Sequence, residues 1–232
     1  MSAPVERTFL PRGLIAYWKM DDVTGAARIN EITPGTLNFT QTGGVVQAAV
    51  TGKAFVYASE IEGSTMSLAI TANTAVNLGS VFSHAGWYMV SDKTKSNYLL
   101  DYGDDATFGD IGSLLIEGNA GGGAVRAAGE DVTGTPQIVQ TSFGLLQNSV
   151  WHHIAVTCDG ITMTVYIDGG SVVLRVTQLG GPAAGACTIE LAPGVSGQNL
   201  WVAQLGLWNR CLGAAEVAAL YNGGQGLAAA PT

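Results

Sequence analysis

Residues 151–170 read WHHIAVTCDGITMTVYIDGG, and how these residues are read decides the fold. His152, His153, Cys158 and Asp159 stand close enough in sequence to suggest a metal or catalytic cluster. Asp159-Gly160 between two apolar, β-branched runs is instead the signal of a tight hairpin. A two-residue turn there pairs Cys158 with Ile161, Val156 with Met163, Ile154 with Val165 and His152 with Ile167, all on one apolar face. The other face then carries Thr157 with Thr162, Ala155 with Thr164 and His153 with Tyr166. Successive strand residues point to opposite faces, so His152 and His153 cannot bind one ion together. His152 is expected to end the core face on a backbone hydrogen bond, and His153 to pack beside Tyr166. Cys158 has no neighbouring base to activate a thiolate.

The same period-two alternation recurs in GLIAYWKM, AGWYMV, NYLLDYG, SLLIEG, ITMTVYID, SVVLRVT and LWVAQLGLWN, each bounded by Gly, Asp, Asn or Pro. Many short strands with such turns predict an antiparallel sandwich or barrel. One helix is predicted over 212–224. Val217, Leu220 and Tyr221 share a face there, Gly213 stands at the N-cap with Glu216 three residues on, and Gly223 fits the stop. NAGGGAVRAAG (119–129) reads as a loop or a distorted hairpin. Residues 1–12 read as an extended arm, 13–226 as one domain and 227–232 as a tail.

Of the 232 residues only 12% are charged, against about 25% in an ordinary domain, while 47% are hydrophobic. Such a surface suits a subunit covered by neighbours. The net charge of −8 argues against nucleic acid or an anionic membrane as partner. No apolar run reaches the ~18 residues a spanning helix needs, and the N-terminus lacks a signal-peptide pattern. Cys158, Cys187 and Cys211 are too few and too scattered for a disulfide framework or a zinc cluster, and read as small apolar residues.

WHHIAVTCDG, TVYIDGG and LWVAQLGLWNRCLGAAEVAALYNGG together resemble the laminin-G-like members of the concanavalin A-like lectin/glucanase superfamily. The residues that carry the resemblance are Trp151, His152, His153, Asp159, Gly160, Tyr166, Asp168, Gly169, Trp208, Asn209, Arg210, Leu212 and Glu216. Trp18 in LIAYWKMDD, the GKAFVY step and Trp87 in AGWYMV extend it. The resemblance runs from about residue 13 to 226 and implies an all-β, two-sheet antiparallel jelly roll with one short C-terminal helix.

Family members that bind calcium often place acidic residues where Ala203 and Asn30 stand here. Asp21, Asp22 and Asn30 are therefore the calcium candidates of a chain otherwise expected to need no cofactor. Glucanases of the superfamily carry paired carboxylates such as Glu-x-Asp-x-x-Glu. None of Glu6, Glu31, Glu60, Glu62, Glu117, Glu130, Glu190 and Glu216 has that spacing, so catalysis is not expected. DYGDDATFGD lacks the alternate-position acids of a calcium loop. It supplies rim-loop binding candidates instead: Asp101, Tyr102, Asp104 and Asp105. The function expected is a non-catalytic structural or adhesive protein of a phage virion, a capsid decoration or tail component. It would contact itself, other virion proteins or surface glycans, but neither nucleic acid nor membrane. The alternative is a free carbohydrate-binding module.

Overall fold

A computed structural model of the 232-residue chain describes residues 11–44, 46–50, 57–62, 66–76, 78–95, 97–103, 114–119, 122–131, 135–176, 187–193 and 198–227. The strands, in chain order, are β1 (Leu14–Trp18), β2 (Thr40–Thr42), β3 (Gln47–Val50), β4 (Tyr57–Glu62), β5 (Ser67–Asn73), β6 (Val81–Val90), β7 (Asn97–Gly103) and β8 (Leu114–Asn119). After these come β9 (Ala124–Glu130), β10 (Pro136–Gln140), β11 (His152–Asp159), β12 (Thr162–Ile167), β13 (Gly170–Val176), β14 (Cys187–Pro193) and β15 (Asn199–Trp208). One helix, α1 (Ala214–Tyr221), follows. The larger sheet runs β13-β12-β11-β6-β15-β4-β3 with β1 also on β15, and the second runs β10-β9-β8-β7-β14-β5-β2. All the named strand pairs are antiparallel. The fold is the expected two-sheet sandwich.

Between the sheets lies one apolar cluster. It takes alternate residues from facing strands, such as Ile154, Val156 and Cys158 of β11 against Leu99, Leu100, Val125, Ile189 and Leu191 of the second sheet. Trp18 closes one side, its ring 4.7 Å from that of Phe39 and its Nε1–H donating to Leu37 O at 2.7 Å.

The hairpin that opened the reading forms, but its register corrects the expected one. Ile154 pairs with Ile167, Val156 with Val165 and Cys158 with Met163. The loop is Gly160-Ile161 rather than Asp159-Gly160. Asp159 caps it by accepting the N–H groups of Ile161 (2.9 Å) and Thr162 (2.7 Å). Gly160 takes φ +94, the sign that the first loop position of a II′-type hairpin demands. The displacement is two residues, an even number, so the side chains within both strands keep their predicted faces, but Ile161, expected on the apolar face opposite Cys158, stands in the loop and is 56% exposed.

That second face is not exposed to solvent. Ala85, Ala155, Tyr166 and Trp208 are covered by Leu212, Val217, Leu220 and Leu227, and Trp87 and Ala203 lie beneath Tyr221 and Trp151. The helix that does the covering starts as predicted: Gly213 N–H donates to Glu216 Oε2 at 2.9 Å. Arg210 holds Glu216 from outside with Nη1–Oε2 2.9 Å and Nη2–Oε1 2.6 Å. Ser83 of β6 anchors the approach, donating to Arg210 O and accepting from Leu212 N–H, both at 2.8 Å. The helix stops one residue before the expected glycine, at Asn222 in the left-handed region (φ 51, ψ 45). Leu227, placed in the tail by sequence, is 3% exposed, and both backbone polar groups bond the Gln204 side chain. Residues 1–10 of the expected arm and 228–232 of the tail lie outside the described residues.

The free edge at β3 is sealed by the β1–β2 connection. Thr24 Oγ1 accepts Ala48 N–H (3.1 Å), and Gly25 N–H donates to Val46 O (3.2 Å). Arg28, 0% exposed, ties this seal down. Its guanidinium donates to Ser59 Oγ and to the carbonyls of Val23 (3.2 Å), Ala26 (2.5 Å) and Val46 (3.1 Å). The Ala48 donor is thereby taken, which hinders a foreign strand from pairing at this edge.

Candidate functional site

The two histidines point to opposite faces, and one carboxylate organises both. Asp168 sits in the β12–β13 turn at φ +51. Its Oδ2 accepts His152 Nδ1–H (2.9 Å) and its Oδ1 accepts His153 N–H (2.9 Å). His152 Nε2 accepts Gln147 N–H at 3.2 Å, which leaves the ring proton on Nδ1. The expected backbone bond at His152 is therefore present, joined by a carboxylate the expectation did not include. Burial works against the charge on Asp168, but the hydrogen bonds from His152 and His153 outweigh it and hold its carboxyl below the usual range. Gly169 follows at φ +79, and a Cβ there would lie 2.8 Å from the Tyr221 ring, so the turn tolerates only glycine. The Trp-His-His strand and the Tyr-x-Asp-Gly turn are thus two halves of one structural clasp. Asp168→Asn keeps the tolerance for positive φ while removing the charge and one acceptor. It is expected to lower stability by about 2 kcal/mol in urea unfolding. A change below about 0.5 kcal/mol would show that the clasp is decorative.

His153 does not pair with Tyr166 as expected, since Ala155 occupies that position. It lies edge-on to Trp87 (centroids 5.4 Å), which in turn stacks on Tyr221 (5.7 Å, 25°). Burial lowers the His153 pKa to about 4, opposed in part by the negative charge of Asp168. His84, on the inner face and hydrogen-bonded to the Tyr88 hydroxyl, is lowered to about 3, chiefly by burial. Both imidazoles are neutral packing groups, not general bases poised near neutrality. The cysteines are free, with Cys158 and Cys187 buried in the core and Cys211 half-exposed.

The calcium candidates fare differently from one another. Asn30 is fully buried and its side chain is spent: Oδ1 accepts Tyr17 N–H and Ile32 N–H (both 3.1 Å), while Nδ2 donates to Thr33 Oγ1 (2.9 Å) and Thr36 O (3.3 Å). It has no lone pair free for a cation. Asp22 Oδ2 accepts Ile29 N–H at 3.2 Å, and Asp21 lines an open recess of ≈ 530 Å³ with Val23, Thr24 and Ala48. Among the described residues no three His, Cys, Asp or Glu side chains converge as a metal would need.

Among the rim candidates, Tyr102 is a core residue, 2% exposed, its hydroxyl accepting Leu78 N–H at 2.7 Å. This corrects the expectation of a binding loop at 102. Asp101 stands in β7 opposite Glu190 of β14. Burial, then the charge of Glu190, raises its pKa to about 6. Asp104 and Asp105 lie outside the described residues. The described residues of 119–129 form the β8–β9 hairpin, with Ala124, Val125, Ala127 and Ala128 buried and Gly122 half-buried at its turn.

A rim feature that the sequence did not announce lies beside that turn. Phe143 is 61% exposed. The loop carrying it is tied to the neighbouring turn by Gly144 N–H to Gly122 O (2.5 Å) and Leu146 N–H to Gly123 O (2.8 Å). A third loop joins through Gly123 N–H to Lys93 O (3.1 Å) and Lys93 N–H to Asn148 Oδ1 (2.7 Å). Lys93 Nζ donates to Gln147 Oε1 at 3.0 Å. Three loops from both sheets are welded into one rigid corner. The only advance signal was an aromatic in a polar turn, TSFGLLQNS.

The family model of the concanavalin A-like lectin/glucanase superfamily, in its laminin-G form, matches residues 62–218. The chain belongs to this superfamily. The laminin-G-like motifs read from the sequence sit where the clasp, the helix anchor and the core tryptophans are found. No curated protein matches the chain in sequence. Among solved structures, the receptor-binding domain of botulinum neurotoxin C/D mosaic serotype is similar at TM-score 0.70 and 12% identity, over 91% of this chain and 51% of that one. The binding domain of Paraclostridial Mosquitocidal Protein 1 is similar at TM-score 0.70 and 18% identity, over 90% and 52%. The ligand-binding domain of botulinum neurotoxin serotype D, solved with N-acetylneuraminic acid, is similar at TM-score 0.68 and 13% identity, over 91% and 51%. The chain thus spans about half the length of these solved chains, and the likeness is one of fold.

Proposed function

We propose that this laminin-G-like domain is a non-catalytic recognition module whose ligand is a glycan, bound at the loop corner around Phe143. The observation that carries the reading is that corner: an exposed aromatic ring on a backbone-braced rim, flanked by amide and ammonium groups. Aromatic faces and planar polar groups are what a sugar offers complements to, and a site of this kind needs no catalytic group. The Asp168 clasp and the buried His84 and His153 serve the fold. Similar folds in solved binding domains, one of them holding N-acetylneuraminic acid, support the same reading. A glycan array probed with the intact chain is expected to give saturable binding to a restricted set of oligosaccharides. Uniform absence of binding across the array would overturn the reading.

A second reading concerns where the module works. With only 12% charged residues, the chain suits a subunit partly covered by neighbours, as in a phage capsid decoration or tail. Light scattering after size exclusion is expected to show a mass above one chain, rising with concentration. A strict monomer at high concentration would favour a free module.

A further inference from the structure

We infer that the Phe143 corner selects anionic saccharides, with Phe143 as the platform for the sugar face and Lys93 as the group that meets the carboxylate. The inference rests on the glycan reading above and names its ligand class.

Geometry places the two side chains together. A Cβ built on Gly122 would lie 3.1 Å from Phe143 Cδ1, and one built on Gly123 would lie 3.1 Å from Lys93 Cδ. Ring and alkyl stem therefore both rest against one dipeptide whose Cα atoms are about 3.8 Å apart. The missing side chains let the exposed Phe143 ring and the Lys93 stem lie against adjacent positions of one turn. Neither glycine can be replaced without a shift: a Cβ on Gly122 would press on the Phe143 ring, and Gly123 has φ +72 with Leu146 O 2.4 Å from its Cβ position.

Charge supplies the selectivity. Among the described residues the Lys93 ammonium has no carboxylate partner; its bond is to the neutral Gln147 amide. The nearby Asp92 is engaged by Thr94 and by Lys95 at 3.9 Å. The chain as a whole carries −8, so a distant anion is repelled. Beyond about 8–10 Å that field is screened by physiological salt, and the nearest uncompensated charge governs contact. A neutral sugar would use the aromatic wall but leave the cation unanswered. A carboxylated sugar answers both, while the Gln147 amide, bonded to Lys93 Nζ and to Gly144 O, holds the ammonium in place.

The test uses matched oligosaccharide pairs, neutral and terminated in a sialic or uronic acid, against the wild-type chain and the variants Phe143→Ala, Phe143→Trp, Lys93→Gln and Lys93→Arg. The expected result is preference for the acidic member of each pair. Phe143→Ala and Lys93→Gln should each weaken it at least about tenfold, and Phe143→Trp and Lys93→Arg should retain it. Melting temperatures should stay unchanged, since both side chains lie at the surface. Glycan binding that survives both disruptive variants would overturn the site while leaving the lectin reading in place. Equal binding to neutral and acidic members would overturn the ligand class. No binding to any member by the wild type would remove the lectin reading itself, and this inference with it.

Discussion

Replacing Arg28 with alanine is expected to lower the unfolding free energy by about 3–5 kcal/mol, the scale for truncating a buried, fully bonded charge. Arg28 is buried, and its guanidinium makes four hydrogen bonds, to Ser59 Oγ and to the carbonyls of Val23, Ala26 and Val46. Burial lowers its pKa and the charge of Asp22 only partly offsets this, so carbonyl dipoles rather than a bonded carboxylate keep the cation in place. Alanine would leave these acceptors short of a donor and open a void next to Met20 and Ser59. The β1–β2 connection would then loosen from the β3 edge, making the protein more prone to associate through that edge. Arg28→Met, which refills the stem volume without the donors, should recover part of the loss. Urea unfolding at pH 7 measures all of this. A loss under 1 kcal/mol for alanine would mean that the seal is held without it by Thr24 and by Gln41, whose side chain donates to Gly25 O (2.6 Å) and accepts Val46 N–H (2.9 Å).

Stability should also fall steeply on mild acidification. His84 and His153 have folded pKa values lowered to about 3 and 4. Unfolded histidine titrates near 6.5. Below that value the unfolded chain takes up two protons that the folded chain refuses, so the stabilisation present above pH 6.5 is lost as pH falls towards 4. Each histidine contributes a slope of about 1.4 kcal/mol per pH unit, and the pair about 4 kcal/mol of lost stability by pH 5. Asp168, held below its usual range, adds to the loss at still lower pH. Asp101 acts in the opposite sense: raised to about 6, it is ionised against its environment at neutral pH and relieved of that charge between pH 6 and 4. Its partial exposure and single proton leave the histidines dominant. By pH 4 the histidine loss reaches about 6 kcal/mol and Asp101 returns about 2, so a stability at the low end of about 5–15 kcal/mol is nearly exhausted there. His153→Phe should remove about half of the slope whatever it does to stability at pH 7.5. A wild-type stability that stays flat from pH 7.5 to pH 5 would show that the two rings reach water.

The predicted faces of the hairpin survived a wrong register because side-chain direction along a strand has a period of two and the error was even. What went astray was the turn: Asp159 looked like a loop residue but served as the last strand residue, capping the loop with its carboxylate. Asn30 looked like a ligand substitute because its chemistry is that of a ligand. Its four bonds, one to Tyr17 of β1 and three to Ile32, Thr33 and Thr36 of the β1–β2 connection, become visible only when those residues are brought around it. Phe143 carries no signal in the sequence pattern, because one aromatic in a turn has no period.

The family resemblance implied the two-sheet sandwich; the residue pattern itself determined the all-β class, the opposed histidines and a helix opened by Gly213 and Glu216. All of these depend on local alternation and on spacings of a few residues, which the chain carries wherever it folds. Tertiary structure alone decided that the second hairpin face is buried, that Asp168 serves both histidines, that Arg28 locks an edge and that Phe143 and Lys93 lie against one glycine turn. The bonds that settle such matters join residues far apart, as Ser83 does to Arg210 across 127 positions. No periodicity in a chain encodes which distant carbonyl a buried donor will find. That choice follows from the order in which strands stack and from the requirement that every buried polar group find a partner.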